Sequence, residues 1–255
     1  MTQSLIHTLL APGALRTALQ PIVALDDATP RTVAYECLTR GPVGSNLEHA
    51  QVLFDYVRLK HDEPPVDRAC VATALRSARC DDATSLSLNV HAATLGRDRG
   101  FVPFLMNEAR DAGFSARQLI VEIVEYAPVW NAPVLSSVSE LRDAGVRIAV
   151  DDIGLGHSNL RMILDVGPEL FKIDRYFVDG CHTDPRRLAV IASVCQLARS
   201  FGAATIAEGI EDVRDVAPLV DCGVSLFQGY FFGRPVMLTD RSSSAPLRCN
   251  APRES

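Results

Sequence analysis

The sequence has no apolar run approaching the ~18 residues that would mark a membrane-crossing helix, and no run rich in lysine and arginine. From the first absence no transmembrane helix is expected. The second, with a formal net charge of −6, excludes duplex nucleic acid and membrane surfaces as partners drawn by a basic field. A small anionic ligand stays open, because a local metal or arginine overrides the overall sign. The cysteines, Cys37, Cys70, Cys80, Cys181, Cys195, Cys222 and Cys249, are odd in number and include no Cys-x-x-Cys pair. They read as reduced thiols of a cytoplasmic protein. The first 25 residues lack the basic start of a signal peptide, and Pro12-Gly13 interrupts their apolar stretch. No repeat of about 20 to 50 residues is present, and no shift of composition marks an interior domain boundary.

What the chain does contain is one construction used again and again. Apolar segments end in a polar or ionisable residue at Val33 to Glu36, Leu86 to Asn89, Leu119 to Glu122, Ile148 to Asp151-Asp152, Leu170 to Lys172, Thr205 to Glu208 and Leu226 to Gln228. Helix-patterned segments separate most of them. The rhythm is therefore strand, helix, strand, helix, and parallel strands joined by crossover helices put every strand C-terminus at one face. At 255 residues, 47% of them hydrophobic, the chain suits one (β/α) barrel with its site at that face. A single polar strand end would mean no more than a group meeting solvent; seven in series point to a site.

The segments follow in order. Residues 1–15 read as a lead-in, 16–240 as the barrel and the Ser-, Pro- and Arg-rich 241–255 as a disordered tail. Leu19 to Leu25 is a strand whose Pro21 suits an edge or a first position. Turn residues from Asp26 to Pro30 lead to a second strand, Val33 to Leu38, so the pair is a candidate hairpin. Helical spacing marks His49 to Lys60 and Val66 to Ala78, with Asp67 and Arg68 on the outer face or first turn. Further helices run from Phe101 to Ala112, stopped by Gly113, and from Val134 to Ala144, stopped by Gly145. Asn159 to Asp165 reads as a brief helix. Asp184-Pro185 gives a cap and a first-turn proline for the helix that Gly202 closes. A last helix spans Val213 to Val220.

The chemistry follows from the donors. Glu36, Asn89, Glu122, Asp151, Asp152 and Glu208 offer only oxygen, which suits Mg or Mn; zinc would prefer nitrogen or sulfur. His91 and His157 come nearest to the strand ends and read as packing or loop residues. Five carboxylates exceed the needs of one divalent ion. A pair of ions ~3.5–4 Å apart with one bridging Asp would activate water and clamp a phosphodiester. Lys172 would hold the nucleophile or neutralise developing charge; its structural alternative is a salt bridge to Asp151, Asp152 or Glu208.

Glu36-Cys37-Leu38-Thr39-Arg40 resembles the Glu-Ala-Leu-x-Arg signature of EAL-domain cyclic-di-GMP phosphodiesterases. The resemblance continues in order through Gln20-Pro21-Ile22-Val23, Asn89, Glu122-Ile123-Val124-Glu125, Asp151-Asp152-Ile153-Gly154-Leu155-Gly156, Lys172-Ile173-Asp174, Ala207-Glu208-Gly209-Ile210-Glu211 and Gln228-Gly229-Tyr230 to Arg234-Pro235. It implies a TIM-like (β/α)8 barrel with its first strand antiparallel. It also implies hydrolysis of cyclic-di-GMP to linear pGpG with two Mg or Mn ions and inhibition by Ca. Glu36, Asn89, Glu122 and Asp151 would hold the first ion, with Asp151 shared and Asp152 on the second. Lys172 and Glu208 would position the water, with Gln228 beside the cluster. Gln20, Leu38, Arg40 and Pro235 would lie on the dinucleotide, Arg40 through a bidentate phosphate contact that lysine could not match. Glu125 would brace the loop after Asp152, which in the family couples to a dimer interface, so a homodimer is expected. Cys37 replaces Ala and Val124 replaces Thr; Ile153, Leu155 and His157 stand where Phe, Thr and Tyr are common. None of these removes a ligand, but they gather at the loop that orders the second ion. A catalytically weak cyclic-di-GMP receptor, or an interaction module on the same fold, is the alternative.

Overall fold

The computed structural model describes residues 5–27, 29–124, 132–151, 153 and 160–238. After a short helix, α1 (Leu5–Leu9), the chain forms the expected hairpin from β1 (Arg16–Asp26) and β2 (Thr29–Arg40), paired antiparallel along their whole length with Gln20 opposite Glu36. Pro21 is at neither an edge nor a first position. The far side of β1 is paired only at Val23 and at Ala18 and Leu19, so the missing proline N–H falls in the gap between those contacts.

From β2 onward the strands run parallel: β3 (Ser85–His91), β4 (Leu119–Val124), β5 (Arg147–Val150), β6 (Leu170–Ile173), β7 (Ala204–Ala207) and β8 (Leu226–Phe227). β8 pairs antiparallel with β1, and the β1–β2 pairing closes an eight-strand mixed barrel. A two-residue strand, β9 (Val236–Met237), adds to β1 beside the closure.

The helices cover the outside. α2 (Ala50–Lys60) and α3 (Glu63–Ser77) lie between β2 and β3, while α4 (Ala92–Arg97) and α5 (Phe101–Ala112) lead to β4. α6 (Ala132–Ala144) precedes β5, α7 (Leu160–Val166) precedes β6, α8 (Arg175–Val178) and α9 (Pro185–Ser200) precede β7, and α10 (Val216–Cys222) precedes β8. Gly113 and Gly145 close α5 and α6 at φ 87° and 99°, and the Asp184 side chain accepts from the Arg186 N–H at the start of α9. α3 starts before Val66 because Pro64 and Pro65 sit in its first turn, where a missing N–H costs nothing. Among the described residues no helix is long and apolar enough to cross a membrane.

Asp67 departs from its expected place on the outer face or first turn of α3. It is 1% exposed and accepts from the His91 N–H and Nδ1, both at 2.9 Å, and from Thr94 Oγ1 at 2.5 Å. These bonds tie α3 to the junction of β3 and α4. They satisfy a carboxylate whose burial alone would be strongly unfavourable.

Inside the barrel, strand alternation builds two layers. Ile22, Ala34, Ile120, Ala149, Leu170 and Ile206 form an apolar cluster toward the start of the parallel strands. Two residues along each strand, hence on the same inward face, stand Gln20, Glu36, Glu122, Asp151, Lys172 and Glu208. One residue over, Cys37 points outward and is buried among the helices. The Cys-for-Ala departure in the signature therefore does not reach the barrel interior.

Candidate metal centre and active site

Lys172 is at the middle of the polar layer and 2% exposed. Its Nζ contacts Glu122 Oε1 at very short range and Glu208 Oε1 at 2.5 Å, with Asp151 Oδ1 at 3.7 Å and Glu36 Oε2 at 3.9 Å. Glu122 is thus a partner absent from the salt bridges expected for Lys172. The Glu36 carboxylate is gripped from both sides: Asn89 Nδ2 donates to Oε1 at 3.0 Å and Gln228 Nε2 to Oε2 at 2.6 Å. With Nδ2 engaged on Glu36, Asn89 keeps its amide oxygen for a cation. Ser87, one inward step below Asn89, donates to Glu122 Oε2 at 3.2 Å, a contact the strand-end pattern did not single out.

One ammonium does not neutralise this many acids. Burial alone would discharge Lys172, but Asp151, Glu122, Glu208 and Glu36 outweigh it and hold the amine charged. Burial lifts Glu122 well above the carboxylate range, with Glu36, Asp151 and Glu208 reinforcing the rise and Lys172 opposing it. Glu208 is pushed up to about 8, first by burial and then by Asp151 and Glu36 against the pull of Lys172. Glu36 goes the other way: burial would raise it, yet Lys172 and the Asn89 and Gln228 amides hold it below its ordinary value. Without a cation, Glu122 and Glu208 therefore hold protons more readily than ordinary carboxylates do. Ligand oxygens of Glu122, Asp151 and Glu208 lie within 4.8 Å of one another, close enough to share one ion. The all-oxygen donors and the surplus negative charge fit a hard divalent cation.

The cluster opens into a cavity of about 270 Å³ shared by Gln20, Gln228, Arg175, Glu211 and Tyr230. Gln228 is placed by a close crossing of two backbone segments: Ile210 N–H donates to the Gln228 carbonyl at 3.1 Å, and a Cβ on Gly229 would stand 2.1 Å from the Ile210 carbonyl oxygen. Gln228 Nε2 also reaches Gln20 Oε1 at 3.3 Å, leaving its own buried Oε1 without a partner. Gln20 in turn donates to the Gly233 carbonyl at 3.2 Å, and the pairing of Leu19 with Val236 brings the adjoining Pro235 beside β1. Leu38 and Arg40 continue the inward face of β2 above Glu36; both are half-buried, and Arg40 Nη1 donates to the Thr39 carbonyl. Asp152, Glu125, Leu155 and His157 lie outside the described residues.

Arg175, Glu211 and Tyr230 were not singled out as site residues, although each lies in or directly after a motif. Arg175 Nη1 pairs with Glu211 Oε1 at 2.9 Å across the cavity wall. Arg234 lies over the Tyr230 ring, 4.3 Å from its centroid. Gly209, at φ 68°, lets the backbone pass directly under the Arg175 stem.

Known proteins are similar to this chain in sequence and in fold. Cyclic di-GMP phosphodiesterase RocR of Pseudomonas aeruginosa is 32% identical over 168 residues, 65% of this chain and 42% of that protein. Cyclic di-GMP phosphodiesterase TpdA of Vibrio parahaemolyticus is 26% identical over 232 residues, 90% of this chain and 38% of that one. The chain thus spans less than half the length of these curated relatives. Among solved structures, the calcium and cyclic-di-GMP complex of Klebsiella pneumoniae BlrP1 matches with a TM-score of 0.78 at 26% identity, over 94% of this chain and 59% of that one. The cyclic-di-GMP-bound standalone EAL protein of Vibrio cholerae O395 gives 0.76 at 26%, over 87% and 92%. The family model of the EAL domain matches residues 4–235. Matched across nearly all of its length and folded as the same barrel, the chain belongs to the EAL domain family.

Proposed function

We propose that this chain is a metal-dependent phosphodiesterase that opens cyclic-di-GMP to linear pGpG. The observation that carries the reading is the acidic trio Glu122, Asp151 and Glu208, gathered around Lys172 at one end of the barrel. Glu36, Asn89, Glu122 and Asp151 would hold a first cation, with Asp151 and Asp152 serving a second. Bound there, a divalent cation supplies Lewis acidity toward a phosphate oxygen and makes water a nucleophile at neutral pH. Lys172 and Glu208 orient the attacking water. Gln20, Leu38, Arg40, Gln228 and Pro235 hold the dinucleotide, with the Arg40 guanidinium on a phosphate. In the reaction the water oxygen forms a new bond to phosphorus, one ester P–O bond of the ring breaks, and the product keeps a terminal phosphate.

Turnover is expected with Mg or Mn, to stop in chelator, and to be inhibited by excess Ca, whose larger and more flexible shell disturbs a bridged site. Because Glu122 and Glu208 are protonated more readily than ordinary carboxylates, a cation must displace protons to bind. Affinity should therefore rise with pH through about 8. Calorimetry in buffers of different ionisation enthalpy would show net proton release. Turnover undiminished in chelator, or binding independent of pH, would contradict this account.

We also infer a homodimer. Leu160 and Leu164, one turn apart on α7, are each 71% exposed, and this helix begins eight residues after Asp152 in sequence. Leu164→Asp should turn a sedimenting dimer into a monomer. A fully active wild-type monomer at high concentration would remove the inference.

A further inference from the structure

At the opposite end of the barrel from the acidic cluster, the apolar layer does not fill the space it encloses. A cavity of about 180 Å³ remains there, bounded by Ile22, Ala34, Ile120, Leu170 and Ile206. An apolar cavity of about 150 Å³ takes up benzene. This one therefore admits an aromatic ring with room for one further group.

Its wall carries a cation. Arg147 opens β5, two residues before Ala149 and hence on the inward face, and its Nη2 donates to the buried Ser85 Oγ at 2.6 Å. No ion pair to Arg147 is seen among the described residues. The carboxylate that attracts it, Glu169, is already engaged by Arg142 Nε at 2.7 Å and by the Ile148 N–H at 2.9 Å. Burial pulls the Arg147 guanidinium below its ordinary value, the direction expected for a positive charge short of counter-charge. A planar fork of this kind matches a carboxylate.

We propose that the barrel floor is a second ligand site, taking a small monocarboxylate with a flat apolar body that fills the cavity while its carboxylate pairs with Arg147. The two ends are complementary in sign: the acidic cluster repels an organic anion in the absence of a cation, and the floor attracts one. A ligand there would touch Ile120, Leu170 and Ile206, each two residues from Glu122, Lys172 and Glu208.

Benzoate is a suitable probe, titrated into the full chain in chelator and followed by backbone amide shifts. Saturable binding at millimolar concentration is expected, with shifts centred on Ala34, Ser85 and Arg147. Benzamide, of the same shape without the charge, should bind about tenfold more weakly, as a lost charge-assisted contact implies. Arg147→Met should weaken benzoate by a similar factor and leave benzamide unaffected. The benzoate and benzamide comparison needs no variant, so it stands even if Arg147→Met folds poorly. Absence of saturation, equal binding of the two probes, or shifts confined to Gln20 and Glu208 would each overturn the proposal.

Discussion

Lys172→Ala should cut turnover by about 10²–10³, the effect of removing a preorganised charge, while cyclic-di-GMP still binds. The separation follows from position: Lys172 is buried among carboxylates, whereas Gln20 and Arg40 stand on β1 and β2 around the opening. The same variant should loosen the metal-free fold, because it leaves Glu122 and Glu208 without their cation. Breaking a buried pair costs about 3–5 kcal/mol at the outside. The cost should shrink as pH falls: without Lys172 the carboxylates have folded-state values raised further above their unfolded ones, so the folded state binds the extra protons and gains stability in acid. Added Mg should restore most of the loss by replacing the missing charge. Denaturant midpoints across pH, with and without Mg, would test this. A midpoint unchanged at every pH, together with full turnover, would show that Lys172 is neither the neutralising nor the orienting group.

Asp151→Asn should have the opposite signature, with activity lost and the metal-free fold strengthened. Even groups that only support metal ligands cost about 10–100-fold when removed, so a direct ligand should cost at least about 10²-fold. The carboxamide keeps the size of the side chain and removes one negative charge from a crowded cluster. Asp151 is among the groups that lift Glu122 and Glu208, so both should titrate lower in the variant. Glu36→Ala and Asn89→Ala should show a comparable loss of turnover. Near-wild-type rates in Asp151→Asn would place the metal elsewhere.

Much of this site was legible because an apolar segment that ends in a polar residue is a local signal. Once Glu36, Glu122, Lys172 and Glu208 were placed at the ends of parallel strands, barrel geometry gathered them at one face. The hairpin was legible from the turn residues between Asp26 and Pro30. Asp67 was not: its partner His91 is distant in sequence, and an acid in a helix reads as solvated until that partner is in view. β9 was hidden by its length, since a two-residue pairing leaves no periodicity to detect. The contact of Lys172 with Glu122 depends on the strand order, which sets β4 and β6 on the two sides of β5 and turns both side chains into the barrel. Glu211 and Tyr230 belonged to recognised motifs and Arg175 follows one directly, but only the cavity the three share assigns them to the site.

The most direct measurement is chromatography of the nucleotide after cyclic-di-GMP is incubated with the purified chain in Mg or Mn. Conversion to pGpG, abolished by chelator and by Asp151→Asn, is the expected result. Intact cyclic-di-GMP held tightly by the unmutated chain, with no pGpG in either metal, would contradict the account and make the protein a receptor.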